Sequence, residues 1–218
     1  MKSFLRNNGL SLALMALFLV TLVGQAWAGL MDFNSEQREH ALATIGMGQY
    51  LLSGHFWQAV GENWESEFLQ MAMFVVLTIF LFQKGSPESN DPDDPDDPEK
   101  LVERSSDPRA PWPVRRGGLI GRMYAHSLSA AFALLFALSF TIHVVGGHRA
   151  YVREQHLNHQ PTPDLMEYVA SGTFWFESMQ NWQSEFLSLA AMVWLSKYLR
   201  EHKSAESKAV ASPHDAHE

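Results

Sequence analysis

Residues 63–69 read NWESEFL and residues 181–187 read NWQSEFL, and each stretch runs straight into an apolar segment. The copying is not confined to that motif. An offset of 118 residues aligns the two halves without a gap, pairing Leu10-Ser11 with Leu128-Ser129, Phe18 with Phe136, Gly29 with Gly147, and Glu36-Gln37 with Glu154-Gln155. It continues through Tyr50 with Tyr168, Ser53-Gly54 with Ser171-Gly172, and Phe56-Trp57 with Phe174-Trp175. A chain written this way is expected to fold as two similar units, so an element assigned in one half constrains its counterpart.

The apolar segments lie at about 10–28, 68–82, 128–145 and 186–199, two in each half. The second and fourth are short for a bilayer, because 15 helical residues rise only about 22 Å against a hydrocarbon core of roughly 30 Å. Downstream lie Gln83 and Lys84, or residues 200–203 with their charges, so the extra length has to come from upstream through Trp64 and Trp182. Trp suits that boundary, with an apolar ring and an N–H that stays wet, and Trp57, Trp64, Trp175 and Trp182 are read as interfacial anchors. The first segment also resembles a secretory signal, with Lys2, Arg6 and an Ala26-Trp27-Ala28 cleavage pattern. Its counterpart lies mid-chain and cannot be a signal peptide, so both are read as retained spans.

Basic residues are held on the cytoplasmic side of a membrane. All of the 16 Lys and Arg except Arg38, Arg149 and Arg153 lie in the N-terminus, the central linker or the C-terminal part. Both termini are therefore expected in the cytoplasm, and each repeat is an out-and-back helical hairpin. The expected fold is an all-α membrane protein with four transmembrane helices in two tandem, parallel two-helix repeats. Residues 1–84 form the first, 119–203 the second, 85–118 a disordered acidic, proline-rich cytoplasmic linker, and 204–218 a disordered tail. In the exterior loops, SGHFWQAVGEN (53–63) and SGTFWFESMQN (171–181) predict short interfacial helices capped by Ser53 or Ser171 and carrying the Phe-Trp pair.

Several chemistries are excluded or disfavoured. The chain has no cysteine, which removes disulfides, thiolate metal sites and cysteine nucleophiles. A net charge of -8 and the lack of an aromatic-interleaved basic stripe argue against nucleic acid. No phosphate loop or nucleophile elbow occurs. In GSPESNDPDDPDDPEK (85–100) proline at every third residue opposes a compact calcium loop, and the EF-hand spacing of glycine and terminal Glu is not present. His148, His156 and His159 face Leu30, Arg38 and Ala41 in the other copy, and a fixed additional ligand is not apparent. His126 and His143 stand about 25 Å apart on one helix, too far to share a haem. No cofactor, metal or enzymatic activity is expected.

Polar residues within or beside lipid are the remaining candidates. Gln25 and His143 lie 15 residues beyond Leu10 and Leu128, while Glu67 and Glu185 lie 15 and 14 residues before Phe82 and Leu199. All four are then about 22 Å from the inner boundary. Asn63 and Asn181 are one turn further out, and Gln70 and Ser188 one turn deeper. This predicts an outer-leaflet polar layer drawn from four helices. Two readings compete: interhelical hydrogen bonds that fix packing, or a cation or proton site in which Glu67, Glu185 and His143 share charge. The second also requires a homo-oligomer, since four spans alone make a thin transport path.

The doubled FWxxxxxNWxSEFL motif and the NNGLSL start resemble a bacterial integral-membrane family that is a domain of unknown function. The resemblance covers nearly the whole chain and implies a multi-pass protein of the bacterial inner membrane. It implies no activity. The expectation is a non-enzymatic membrane protein with a structural or assembly role and the lipid bilayer as its partner. The alternative is a small proton- or cation-coupled transporter or channel.

Overall fold

The computed structural model describes residues 2–89 and 107–214. Eight helices and no strand occur among the described residues. They are α1 (Lys2–Glu39), α2 (Met47–Tyr50), α3 (Gly54–Phe80), α4 (Trp112–Arg116), α5 (Gly118–Ala125), α6 (Ser127–Leu157), α7 (Leu165–Val169) and α8 (Gly172–Tyr198). The most acidic part of the expected linker, residues 90–106, lies outside the described residues, as does 215–218 of the expected tail. Within the remainder of that linker, α4 forms after Pro111, with Pro113 in its first turn.

The ends of the long helices obey local chemistry. Ser53 and Ser171 each accept a hydrogen bond from the amide three residues on, Phe56 and Phe174, both at 3.2 Å. These serines cap α3 and α8, which are 27 residues each and begin and end 118 positions apart (54 to 172, 80 to 198). The sequence expectation of a separate short helix for the Phe-Trp pair is thereby corrected: one continuous helix of about 40 Å runs from the pair into the apolar segment. Nothing between them breaks the hydrogen-bond ladder. The short loop helices lie earlier, as α2 and α7. In α7, Asp164 and Glu167 exchange side-chain and backbone bonds at 2.9 Å in a capping box.

Breaks and stops also recur. Asn8 leaves helical geometry inside α1 (φ -127, ψ 16) and returns its side-chain amide to the Phe4 carbonyl at 3.0 Å. His126 has nearly the same backbone (φ -108, ψ 14) and separates α5 from α6. After α1, Ala41 takes a left-handed turn (φ 56) while Leu42 N–H bonds Gln37 O and Ala41 N–H bonds Arg38 O. After α6, His159 (φ 56) does the same, with Gln160 bonded to Gln155 and His159 to His156. Both are Schellman closures.

Two helices, Phe4–Glu39 and Ser127–Leu157, are long and apolar enough to cross a membrane. Only 6% and 11% of their most apolar windows are buried in protein, so most of those side chains are exposed. Their hydroxyls are satisfied internally: Thr21 bonds Leu17 O and Ser139 bonds Leu135 O, so neither presents a bare donor. The expectation had four such helices. Although α3 and α8 have the length, their outer parts carry Glu62, Glu65 and Glu67, or Glu177 and Glu185, and are polar for that reason.

The chain divides into two compact units, each drawing on both halves of the sequence. One comprises residues 1–61 and 141–174, the other 62–140 and 175–218. In the first, Tyr50 and Tyr168 are fully buried, and each hydroxyl sits where a side chain on Gly29 or Gly147 would have to go. The start of α3 crosses α6 backbone to backbone. A Cβ on Gly54 would lie 2.7 Å from Gly146 O and Ala150 N, and one on Gly146 would lie 2.6 Å from Gln58 N. Small residues permit that approach. In the second unit, α3 and α8 pack along their lengths, with Ser86 and Ser196 hydroxyls 3.4 Å apart near the far end. An apolar groove of about 870 Å³ opens there between Phe74, Leu77, Phe82, Phe186, Ala190 and Trp194. Within the expected tail, Lys208 is buried and donates to the carbonyls of Pro213 and His214.

Candidate functional site

The second unit holds a polar seam between α3 and α8. Glu65 is fully buried, and its Oε1 accepts from Ser178 Oγ at 3.0 Å and Trp182 Nε1 at 3.2 Å. One turn outward, Glu62 Oε1 accepts from Asn181 Nδ2, which also bonds the Glu177 carbonyl at 3.1 Å. One turn inward, Gln70 Nε2 donates to the Glu185 carbonyl at 2.9 Å and to Ser188 Oγ at 3.3 Å. Residues 62, 65 and 70 share one face of α3, and 178, 181, 182, 185 and 188 share one face of α8. Carboxylate oxygens of Glu62 and Glu177 lie within 4.8 Å of each other, a spacing that a small cation could bridge.

The residues singled out from sequence are distributed unevenly over this seam. Asn181 and Trp182 belong to it, and Glu185 contributes its backbone carbonyl. Glu67 and Asn63 are exposed on α3, and Trp64 is half-buried. Trp175 is exposed and meets Trp182 edge to face at 6.3 Å. Phe136 contacts the same indole, also at 6.3 Å. Sequence reasoning missed Glu65, Ser178, Glu62 and Glu177. Glu62, Glu65 and Gln70 recur at helical spacing, which was the available signal.

In the first unit, His143 is fully buried on α6, its ring stacked on Phe174 at 4.9 Å and its backbone pressed against Gly61. Gln25 is half-buried on α1 and Trp57 is exposed near the start of α3. Around Tyr50 and His55 this unit holds a second polar cluster. Tyr50 Oη is 3.0 Å from His55 Nδ1, and His55 Nε2 is 3.8 Å from the Asp32 carboxylate. Phe33 packs edge to face on both rings. Arg153 caps the group, 4.0 Å over Phe33 and bonded to Glu36 at 2.7 Å and Gln37 at 2.6 Å. Burial lowers the His55 pKa, with Arg153 adding to the effect and the charges of Asp32 and Glu36 opposing it. Burial, helped by Asp32, raises the Tyr50 pKa. Of the three histidines weighed for a metal, His148 bonds the Pro163 carbonyl at 3.0 Å, while His156 and His159 are exposed.

Fold and site together define an all-helical protein with two helices fit to cross a membrane and a polar helix-helix seam. The chain belongs to the family described as a domain of unknown function (DUF6766), which matches it over residues 1–218. No curated protein and no solved structure matches the chain.

Proposed function

We propose that this chain is a four-span protein of the bacterial inner membrane, built as two tandem hairpin repeats with both termini cytoplasmic, and that its role is non-enzymatic. The seam between α3 and α8 is a packing device for a structural or assembly part in the bilayer. The observation that carries this reading is Glu65: one buried carboxylate oxygen takes two donors from the facing helix, an arrangement that fixes helix against helix. Support for the repeat comes from the matched ends of α3 and α8, the matched breaks at Asn8 and His126, and the matched closures at Ala41 and His159. Support for spans at α3 and α8 is their length of about 40 Å and their apolar inner halves.

Topology is tested with single thiols, because the chain has no cysteine of its own. In spheroplasts, a membrane-impermeant maleimide should label Ser35→Cys and Asn158→Cys but not Ser212→Cys. Labelling of all three, or recovery of the protein in the soluble fraction, overturns the reading.

The close approach of the Glu62 and Glu177 carboxylates favours one second reading, a proton- or cation-coupled transporter or channel acting as a homo-oligomer. Proteoliposomes decide between the two. No proton or sodium flux above empty vesicles supports the packing role; flux that disappears in Glu62→Gln with Glu177→Gln supports transport.

A further inference from the structure

Wholly within the first unit, a cavity of about 370 Å³ opens beside the crossing of α3 and α6. Its wall is made by Trp57, Ile142 and Val145, with Thr141, Gly54 and Ser53, and Arg149 stands at its edge. The volume is within the range of small-ligand sites. Arg149 differs from Arg153 one turn further along α6. Arg153 is committed to Glu36, Gln37 and Phe33, whereas no hydrogen bond or ion pair among the described residues engages Arg149. Arg149 is held where it is by the helix crossing, since its Cβ abuts the Cα side of Gly54, 2.7 Å from where a Cβ there would be.

The cavity is graded along α6. Counting from Leu128 at the inner boundary, Thr141, Ile142 and Val145 rise to about 20–26 Å and Arg149 to about 31 Å, with a hydrocarbon core of roughly 30 Å. Its apolar wall then lies at the depth of outer-leaflet acyl chains and its cation at the depth of headgroup phosphates. Trp57 adds an interfacial ring. We infer that this cavity binds an anionic phospholipid from the exterior leaflet, with the phosphodiester on the Arg149 guanidinium and an acyl chain against Ile142, Val145 and Trp57. A guanidinium fork matches a phosphate in two parallel hydrogen bonds, which a passing counter-ion does not need. The repeat does not copy the site: Met31 stands at the position equivalent to Arg149, and Gly172, the equivalent of Gly54, has no neighbour within 4 Å of its Cβ direction. The chain therefore takes one such lipid per copy of this cavity.

The inference rests on the membrane reading above. Purified full chain in detergent is titrated with dioctanoyl phosphatidylglycerol, dioctanoyl phosphatidylcholine or inorganic phosphate, following Tm. Saturable stabilisation by the phosphatidylglycerol is expected, weakened about tenfold or more in Arg149→Gln and unchanged in Arg38→Gln. Arg149→Lys should recover part of the affinity, and Ile142→Trp, which fills the wall, should lose it with Arg149 intact. Equal binding by the wild type and Arg149→Gln overturns the inference. So does phosphatidylcholine or inorganic phosphate acting as strongly as the phosphatidylglycerol, the first showing that the net charge of the lipid is not read and the second an anion site without an acyl groove. A protein recovered in the membrane fraction that behaves so loses only this inference; a soluble one loses the membrane reading itself.

Discussion

Glu65 and Glu67 are two positions apart, which turns them about 200° around α3. One is fully buried against α8 and the other is exposed. Removing the buried one strands the Ser178 hydroxyl and the Trp182 N–H, so Glu65→Ala should cost about 1–3 kcal/mol. Glu67→Ala should leave Tm in detergent unchanged. The duplication drew attention to Glu67 because Glu185 repeats it, whereas Glu65 corresponds to Gln183. What a repeat preserves is the shape common to both copies; which face is buried depends on neighbours that differ between them. A second prediction concerns His55, at the start of α3. Its pKa is lowered on folding, so the unfolded chain binds a proton first as pH falls. Stability contributed by neutral His55 is complete above its ordinary value of 6.5 and is lost as pH falls through the lower folded value. Urea unfolding at pH 7.5 and 5.5 should show a loss on acidification that His55→Gln reduces. An unchanged acid response in that variant would rule His55 out as its source.

Helix ends were largely legible. Ser53 and Ser171 mark starts that the structure keeps, and the apolar runs mark the bodies of the same two helices. The same serines led to a separate interfacial helix, because aromatic anchors and a lipid-facing run look like two environments; to the backbone they are one uninterrupted ladder. The closures at Ala41 and His159 were not legible, since neither residue is the Gly or Asn that usually adopts φ > 0. Nor could composition reveal how closely α3 and α6 cross. A methyl at Gly146 falls 2.6 Å from Gln58 N and 2.8 Å from the Trp57 carbonyl carbon, both backbone atoms that cannot swing aside. Gly146→Ala should therefore destabilise by about 1–3 kcal/mol. Gly24→Ala, with open space at its Cβ, should not lower Tm. Equal effects of the two would remove the crossing as an explanation.

The sequence repeat divides the chain in the middle, but the compact units do not. One unit joins 1–61 to 141–174 and the other joins 62–140 to 175–218, so neither half contains a complete unit. A repeat read along the chain reports similarity and is silent on partnership. If each unit needs both halves, residues 1–89 and 107–218 expressed as separate chains should be unstable alone and should co-purify when expressed together. Two independently stable halves that ignore each other would contradict the interleaving. At this scale the two copies also contribute unequally to the seam. On α8 the seam uses Asn181, the copy of Asn63, while on α3 it uses Glu62, the copy of Gln180.

The bond from Trp182 Nε1 to Glu65 turns a packing contact into an optical one. An indole whose N–H faces a buried carboxylate emits differently from one without that partner, and the signal reports on the seam directly. With Trp182 kept and the other six tryptophans of the chain replaced by Phe, emission should shift in Glu65→Ala and stay put in Glu67→Ala. The same reporter would track separation of α3 from α8 in real time, without any attached dye.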